Sequence, residues 1–167
     1  MQISAAMVKE LRERTSAGVM DCRNALAEVQ GDLEKAAELL RKQGLARAEK
    51  RLEREAKQGL IEAYVHAGAR IAAMVELNCE TDFVAHTDEF KRLAHDLAMQ
   101  IAARAPAYLS KEEIPEGSDL DPKEACLLEQ KFIKDEARTI RDIVMETAAK
   151  TGENVAVRKF VRFELGK

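Results

Sequence analysis

The sequence predicts an α+β fold, in which a small helical module at the N-terminus precedes a mixed core domain. Apolar residues recur at helical spacing through residues 1–43. Two apolar segments, 59–66 and 70–78, flank a short glycine-containing turn, which predicts a β-hairpin. The segment 154–165 alternates with a period of two, which predicts a third strand. The core should therefore be a small antiparallel three-stranded sheet packed with helices.

Three short helices are predicted in the N-terminal module, residues 1–44. Ser4 can cap the first helix, which should end before Ala17–Gly18. The second helix should end at Gly31–Asp32, where the third begins, and Gly44 is expected to follow the third helix as its C-terminal glycine. Because three helices in about 40 residues enclose little apolar volume, this module should be only marginally stable by itself.

A charged connector helix is predicted over residues 45–58, between the module and a core domain that covers 59–167. Its apolar stripe is thin, so it should bury little surface. Its basic residues could contact RNA. However, Glu49, Glu53 and Glu55 lie among them, which favours a solvated helix with charge pairs four residues apart.

Two longer helices are predicted in the core domain. The first runs from about Thr87 to Ala103, and its wide apolar face should cover the sheet. The second runs from Thr139 to Lys150 and is ended by Gly152. Between them, residues 105–122 contain all three prolines, which predicts an irregular segment before a short helix.

The predicted closing strand has two chemically different faces. One face should carry Val155, Val157, Val161, Phe163 and Leu165. The other should carry Arg158, Phe160, Arg162 and Glu164. This alternation is the reason that the segment is assigned as the third strand of the sheet.

Composition and charge narrow the class of function. The chain has 167 residues, of which 46% are hydrophobic and 34% are charged, a composition that supports a packed core. Its net charge of -3, with acids and bases interspersed, argues against a direct nucleic-acid partner. The sequence shows neither the apolar region of a secretory signal nor a run of about 20 apolar residues. We therefore expect a soluble, cytoplasmic protein without a membrane partner.

The sequence lacks the patterns expected of an enzyme or a cofactor-binding protein. It contains neither G-x-x-x-x-G-K-[ST] nor G-x-G-x-x-G, and its histidines are not at metal-ligand spacing, so no cofactor or metal is expected. Cys22, Cys79 and Cys126 form no C-x-x-C pair, which fits a reducing compartment. A thiol–base pair of Cys79 and His86 is an alternative, although neither an orienting group nor an oxyanion feature accompanies it.

The segment NCETDFVAHTDEF, residues 78–90, places Phe83 among polar and acidic residues, between a predicted strand and a predicted helix. Two interpretations are open. Phe83 could pack as a hydrophobic staple against the helix that begins at Thr87. It could instead be an exposed anchor on a loop, of the kind that contributes about 2 kcal/mol or more to a protein–protein contact.

Four segments, taken in order, resemble bacterial elongation factor Ts of the short form. They are VKELRERTSAGVMDCRNAL (8–26), VELNCETDFVAHTDEF (75–90), LLEQKFIKDEARTI (127–140) and GENVAVRKFVRFELG (152–166). The resemblance covers almost the whole chain. It implies a translation elongation factor that acts as a guanine-nucleotide exchange factor and releases GDP from elongation factor Tu, without covalent chemistry. It also implies that the N-terminal module is UBA-like, that is, similar to ubiquitin-associated domains.

The resemblance further implies which residues contact the partner. In this family, a T-D-F-V loop enters the GTP-binding domain of elongation factor Tu and dislocates its Mg²⁺ ion. The matching residues here are Thr81, Asp82, Phe83 and Val84. The N-terminal module of the family contacts the same domain, and the matching positions are Leu11, Arg12, Val19, Met20 and Arg23.

The chain is short for this family, in which longer members carry two core subdomains and short members self-associate. The resemblance therefore implies a homodimer that binds elongation factor Tu, GDP-bound or nucleotide-free, in a 2:2 complex. Phe160 and Phe163 of the closing strand could lie near the dimer interface. One competing interpretation is an adaptor that binds the partner without changing its nucleotide affinity. The other is the thiol enzyme described above.

Overall fold

A computed structural model of the chain describes residues 3–167, so the first two residues of the predicted N-terminal module lie outside the described residues. The predicted α+β class is confirmed: helices precede an antiparallel three-stranded sheet that packs with further helices. Within residues 3–167, no helix is both long and apolar enough to cross a lipid bilayer.

Three helices form the N-terminal part of the chain: α1 (Ala5–Thr15), α2 (Val19–Glu28) and α3 (Leu33–Glu49). Ser4 Oγ accepts a hydrogen bond from the Met7 N–H at 3.2 Å, and Asp32 Oδ1 accepts one from the Lys35 N–H at 3.0 Å. These caps satisfy donors that the start of a helix leaves open. The helices enclose a small cluster of buried side chains: Leu11, Cys22, Ala25, Leu26, Ala36 and Leu40.

The predicted connector helix over 45–58 is wrong as a separate element. Helix α3 continues through Gly44 to Glu49, and turns over 50–54 lead to a strand that begins at Gln58. Gly44 does not end the helix. A Cβ atom at this position would lie 3.3 Å from Ala149 Cβ, so the glycine allows α3 to approach a later helix closely. The domain limits proposed from the sequence stay a prediction.

The core domain begins with strands β1 (Gln58–Val65) and β2 (Ile71–Cys79), followed by α4 (Asp82–Ala85) and α5 (Asp88–Arg104). After an irregular segment come α6 (Pro122–Ala125), β3 (Lys131–Phe132), β4 (Asp135–Thr139), α7 (Ile140–Thr151) and β5 (Ala156–Glu164). Two 3-10 turns, Lys111–Glu113 and Leu127–Glu129, lie on either side of α6.

The main sheet has the antiparallel strand order β1-β2-β5. On the central strand, Ala73, Val75 and Leu77 are buried on the face that α5 covers. Helix α5 meets this face with the wide apolar stripe predicted from its sequence, which includes Phe90 and Leu97. The opposite face of the sheet, which α5 does not cover, is called the open sheet face below.

The predicted division of the closing strand into two faces is wrong beyond Val157. The pairing of β5 with β2 shifts between Glu76, which pairs with Lys159, and Leu77, which pairs with Val157, so Arg158 is an extra residue. A shift of one residue exchanges the two faces of a strand. Val155 and Val157 are therefore buried, whereas three apolar residues after the bulge are exposed: Val161, Phe163 and Leu165. Two residues expected on the other face instead point towards the core: Phe160, which packs against it, and Arg162, whose Nε donates to Ala102 O.

The short hairpin of β3 and β4 was not predicted from the sequence, because β3 is too short to show an alternating pattern. Buried Gln100 on α5 holds it in place. Gln100 Oε1 accepts from the Ile133 N–H at 2.9 Å, and Gln100 Nε2 donates to Lys131 O and to Gln130 Oε1, both at 3.1 Å. A buried amide with these partners is fully compatible with the core.

Candidate functional site

Phe83 projects into solvent from α4, the single helical turn between β2 and α5, and its side chain is 82% exposed. The interpretation of Phe83 as a hydrophobic staple is therefore wrong. The predicted loop is a capped turn, in which Thr81 Oγ1 accepts from the Val84 N–H at 3.4 Å. We refer to Thr81–Val84 as the Phe83 tip.

The side of the Phe83 tip that faces the protein is anchored in the core. Val84 is 5% exposed and Ala85 is 3% exposed, and both belong to the main apolar cluster. Thr87 Oγ1 donates to Val84 O at 2.7 Å and accepts from the Phe90 N–H at 3.3 Å, so it joins the end of α4 to the start of α5. The aromatic ring is thus exposed on a turn whose next two residues are fixed.

Asp82 lies beside Phe83 and its side chain is 72% exposed. His86 Nδ1 lies 2.8 Å from Asp82 O and 3.4 Å from Asp82 Oδ1, so the imidazole contacts both the backbone and the carboxylate of Asp82. The Phe83 tip therefore presents an aromatic ring and a carboxylate to solvent.

Cys79 is unsuited to act as a nucleophile. Its side chain is buried, and Sγ donates to Thr81 O at 3.1 Å. Burial, with a smaller contribution from the negative charge of Glu153, raises the pKa of the Cys79 thiol to about 11. His86, the base of the alternative thiol–base pair, contacts Asp82 instead. Within residues 3–167, no group of three His, Cys, Asp or Glu side chains could hold a metal ion.

Four of the five residues singled out in the N-terminal module are exposed, and we call these four the module patch. Val19 is 52% exposed and Met20 is 61% exposed at the start of α2, and Arg23 is exposed one turn later on the same helix. Arg12 is exposed on α1. Leu11 is instead completely buried in the module, so its side chain supports the patch from within.

The open sheet face is the third exposed region, and it is apolar. The strand register places Val65, Ala72 and Phe163 side by side, and next to them Ala63, Met74 and Val161. Phe163 is 64% exposed and Val65 is 61% exposed. Of the two aromatic residues expected near a dimer interface, Phe163 lies on this face. Phe160 lies on the covered face.

The sequence did not indicate one further residue at the Phe83 tip. Glu153, in the connection between α7 and β5, accepts hydrogen bonds from Thr81. The two residues are 72 positions apart in the chain, and the motif that contains Glu153 does not show which residue the carboxylate contacts. A sequence pattern could not have brought them together.

Comparison with known proteins gives a consistent result. The family model described as Elongation factor TS matches residues 3–118 and 121–167. Elongation factor Ts of Carboxydothermus hydrogenoformans is 49% identical over 195 aligned positions, which cover 99% of this chain and 90% of the relative. Its counterpart in Fervidobacterium nodosum is 48% identical over 199 positions and covers 100% of both chains. That of Thermoanaerobacter pseudethanolicus is 48% identical and covers 99% of this chain and 96% of the relative.

Proposed function

We propose, since the chain belongs to the elongation factor Ts family, that it releases GDP from elongation factor Tu by inserting the Phe83 tip into the GTP-binding domain of that partner. Members of this family are nucleotide exchange factors that act in translation elongation. The mechanism rests above all on one observation: an aromatic side chain that is 82% exposed stands on a turn anchored in the core.

An exchange factor must bind the empty partner more tightly than the nucleotide-bound partner. A GTPase that holds GDP with a nanomolar Kd has about 12 kcal/mol of binding free energy, and a factor can reduce it only through this difference in affinity. The effect is reciprocal, so GDP must weaken binding of the factor equally. A fixed tip whose contacts form only in the opened partner satisfies this requirement without a catalytic group.

The Mg²⁺ ion of the partner is an effective target for the Phe83 tip. Such an ion is often the largest local charge at a phosphate site, so its loss weakens the hold on GDP. Phe83 would wedge between helices of the partner, and Asp82 would help to rearrange the polar groups that support the ion. Thr81 and Val84 would support the tip from the side of the protein core, because Thr81 caps the turn and Val84 is buried in the core.

The module patch would contact the same domain of elongation factor Tu. Val19 and Met20 offer exposed apolar surface, while Arg12 and Arg23 offer guanidinium groups for polar contacts. Leu11 would contribute by supporting α1 and α2. Contact at two separate regions would orient the factor, so that the Phe83 tip meets the Mg²⁺ site.

We also propose that two copies associate through the open sheet face and bind two partner molecules in a 2:2 complex. Monomeric proteins rarely expose a contiguous apolar patch of more than a few hundred square ångströms. Two such faces can pack against each other as the layers of a β-sandwich, related by a twofold axis. Phe163 and Met74 would lie in the interface, and the pair Glu76–Lys159, at 3.7 Å, would lie next to it.

The proposed place of action is the cytoplasm, where translation elongation occurs. Neither a cofactor nor a direct nucleic-acid or membrane partner is required. The net charge of -3 supports a protein partner rather than a nucleic acid.

Release of fluorescently labelled GDP from elongation factor Tu tests the proposal. The wild-type chain should accelerate release, and Phe83→Ala should reduce the acceleration about 30-fold, as expected for an anchor worth about 2 kcal/mol. Leu120→Ala is a matched control, because Leu120 is an exposed aliphatic residue outside the three regions. Cys79→Ser should leave the rate unchanged.

Other outcomes of this experiment would support the competing interpretations. Tight binding of the wild-type chain without faster GDP release would indicate an adaptor. A strong effect of Cys79→Ser with no effect of Phe83→Ala would indicate thiol chemistry. Either result would contradict the proposed exchange mechanism.

A further inference from the structure

The segment that follows α7 binds the chain at the start of the Phe83 tip. Glu153 Oε2 accepts hydrogen bonds from the Glu80 N–H at 3.0 Å and from the Thr81 N–H at 2.9 Å. Glu153 Oε1 accepts a third hydrogen bond, at 2.5 Å, from the Thr81 hydroxyl group. One carboxylate thus satisfies three donors at the point where β2 ends and α4 begins.

The contact is reciprocal. Glu80 Oε1 accepts from the Asn154 N–H at 2.7 Å, so each of the two segments supplies a carboxylate to the backbone of the other. Asn154 Nδ2 donates to Arg54 O at 2.7 Å and to Leu52 O at 3.2 Å, which joins the turns after α3 to the same network. Hydrogen bonds to a charged acceptor are stronger than those between neutral groups. The backbone that carries Phe83 is therefore held in place by residues from another segment of the chain.

We propose that Glu153 is a positioning residue for the exchange reaction, which fixes the direction in which Phe83 leaves the protein surface. The inference rests on the proposed function of the Phe83 tip. The hydrogen bonds of Glu153 go to Glu80 and Thr81, so it acts through Thr81, two residues before the aromatic ring. Exchange depends on such a residue because any freedom of the tip that is lost on binding reduces the affinity for the opened partner.

The geometry of Thr81 explains how the carboxylate acts at this distance. The single hydroxyl proton of Thr81 is used in the bond to Glu153, so an oxygen lone pair is left to accept from the Val84 N–H. The carboxylate therefore orients the group that caps α4. A glutamine at this position has only one acceptor oxygen, so at least one of the three donors would face an amide nitrogen. If that donor were the hydroxyl, it would have to accept from the amide instead, and the group that caps α4 would lose the charged acceptor that orients it.

The first experiment measures the mobility of the tip without any partner. The chain contains no tryptophan, so F83W introduces a single tryptophan at the tip, which can be excited at a wavelength that the two tyrosines do not absorb. Time-resolved fluorescence anisotropy should show larger local motion in F83W/E153Q than in F83W. E129Q is the matched control, because Glu129 is also a partly buried carboxylate. Its Oε1 forms an ion pair with Arg141 Nη2 at 2.6 Å. F83W/E129Q should behave like F83W, and unchanged motion in F83W/E153Q would overturn the inference.

The second experiment measures GDP release from elongation factor Tu with the wild-type chain, E153Q, F83A and the double variant. E153Q should lower the maximal release rate about three- to tenfold. The concentration of factor that gives half the maximal rate should change less, because the module patch is intact. In the F83A background, E153Q should have no further effect. An equal effect in both backgrounds would show a general structural role and overturn the inference.

The two proposals fail in different ways. If F83A releases GDP as fast as the wild-type chain, the proposed function is wrong, and the anisotropy alone decides whether Glu153 orients residue 83. If F83A is slow but E153Q is as fast as the wild-type chain, only the role of Glu153 is wrong. If E153Q does not fold, T81V replaces it. T81V removes the hydroxyl group that Glu153 binds and should slow release in the wild-type background but not in the F83A background; an equal effect in both backgrounds would overturn the inference.

Discussion

Replacing Phe163 with alanine should weaken the association of two copies without destabilising the single chain. Phe163 lies on the open sheet face and is 64% exposed, so the folded monomer depends little on its ring. In the proposed dimer, the same ring would be covered by the partner copy. Truncation would therefore affect the dimer far more than the fold.

The size of the effect follows from the exposed fraction. Complete burial of a phenylalanine side chain contributes about 1.5–3 kcal/mol, and about two thirds of the Phe163 side chain is free to be buried on association, which gives about 1–2 kcal/mol per copy. A twofold dimer contains the residue twice, so the loss is about 2–4 kcal/mol. The dissociation constant of the dimer should rise about 30- to 1,000-fold.

Sedimentation velocity over a wide range of protein concentrations measures this constant directly. Leu120→Ala is again the control, since it removes exposed apolar surface outside the open sheet face. Thermal unfolding of Phe163→Ala should match the wild-type chain once both are monomeric. A wild-type chain that is monomeric at micromolar concentration, or a variant that dimerises as tightly as the wild type, would refute the assignment of this face.

Two further predictions concern stability and reactivity. Because burial raises the pKa of Cys79 from 9.0 to about 11, folding favours the protonated thiol; the resulting stability is present below about pH 9 and is lost as the pH rises towards 11. Denaturant unfolding at pH 8 and pH 10.5 checks this. The loss should be smaller in Cys79→Ala, which retains the raised pKa of the buried Cys126 thiol. Gly59→Ala should lower the free energy of unfolding by at least about 1–3 kcal/mol, because Gly59 has φ +144° and a Cβ would lie 2.1 Å from Leu77 O. Gly68→Ala, at φ +87° with open space around it, is the control that carries backbone strain alone. If the two variants are equally stable, the contact with Leu77 is not the cause.

The elements that follow from local chemistry could be predicted from the sequence. The cap at Ser4, the hairpin around Gly68 and the apolar stripe of α5 depend on neighbouring residues, and all three are present. Gly44 was misread because glycine ends many helices, and the close approach of Ala149 that requires it here is a tertiary contact. The bulge at Arg158 was missed because register is set by pairing between strands rather than by one strand alone.

The candidate site, too, could be predicted from the sequence only in part. The motif around Phe83 identified the tip, but its two interpretations could not be separated from sequence, because a staple and an exposed anchor have the same neighbours in the chain. The exposure of the ring separates them. Glu153 was beyond the reach of sequence reasoning, because its contact with Thr81 spans 72 residues.

The continuous backbone of α3 determines how far apart the two proposed partner-binding regions lie. The helix contributes Leu40 to the cluster of the N-terminal module and Ala48 to that of the core, and about 12 Å of α-helix separates these two residues. The continuous helix consequently fixes the distance between the module patch and the Phe83 tip. A protein whose two complementary surfaces lie at a different distance from each other could not contact both regions at the same time.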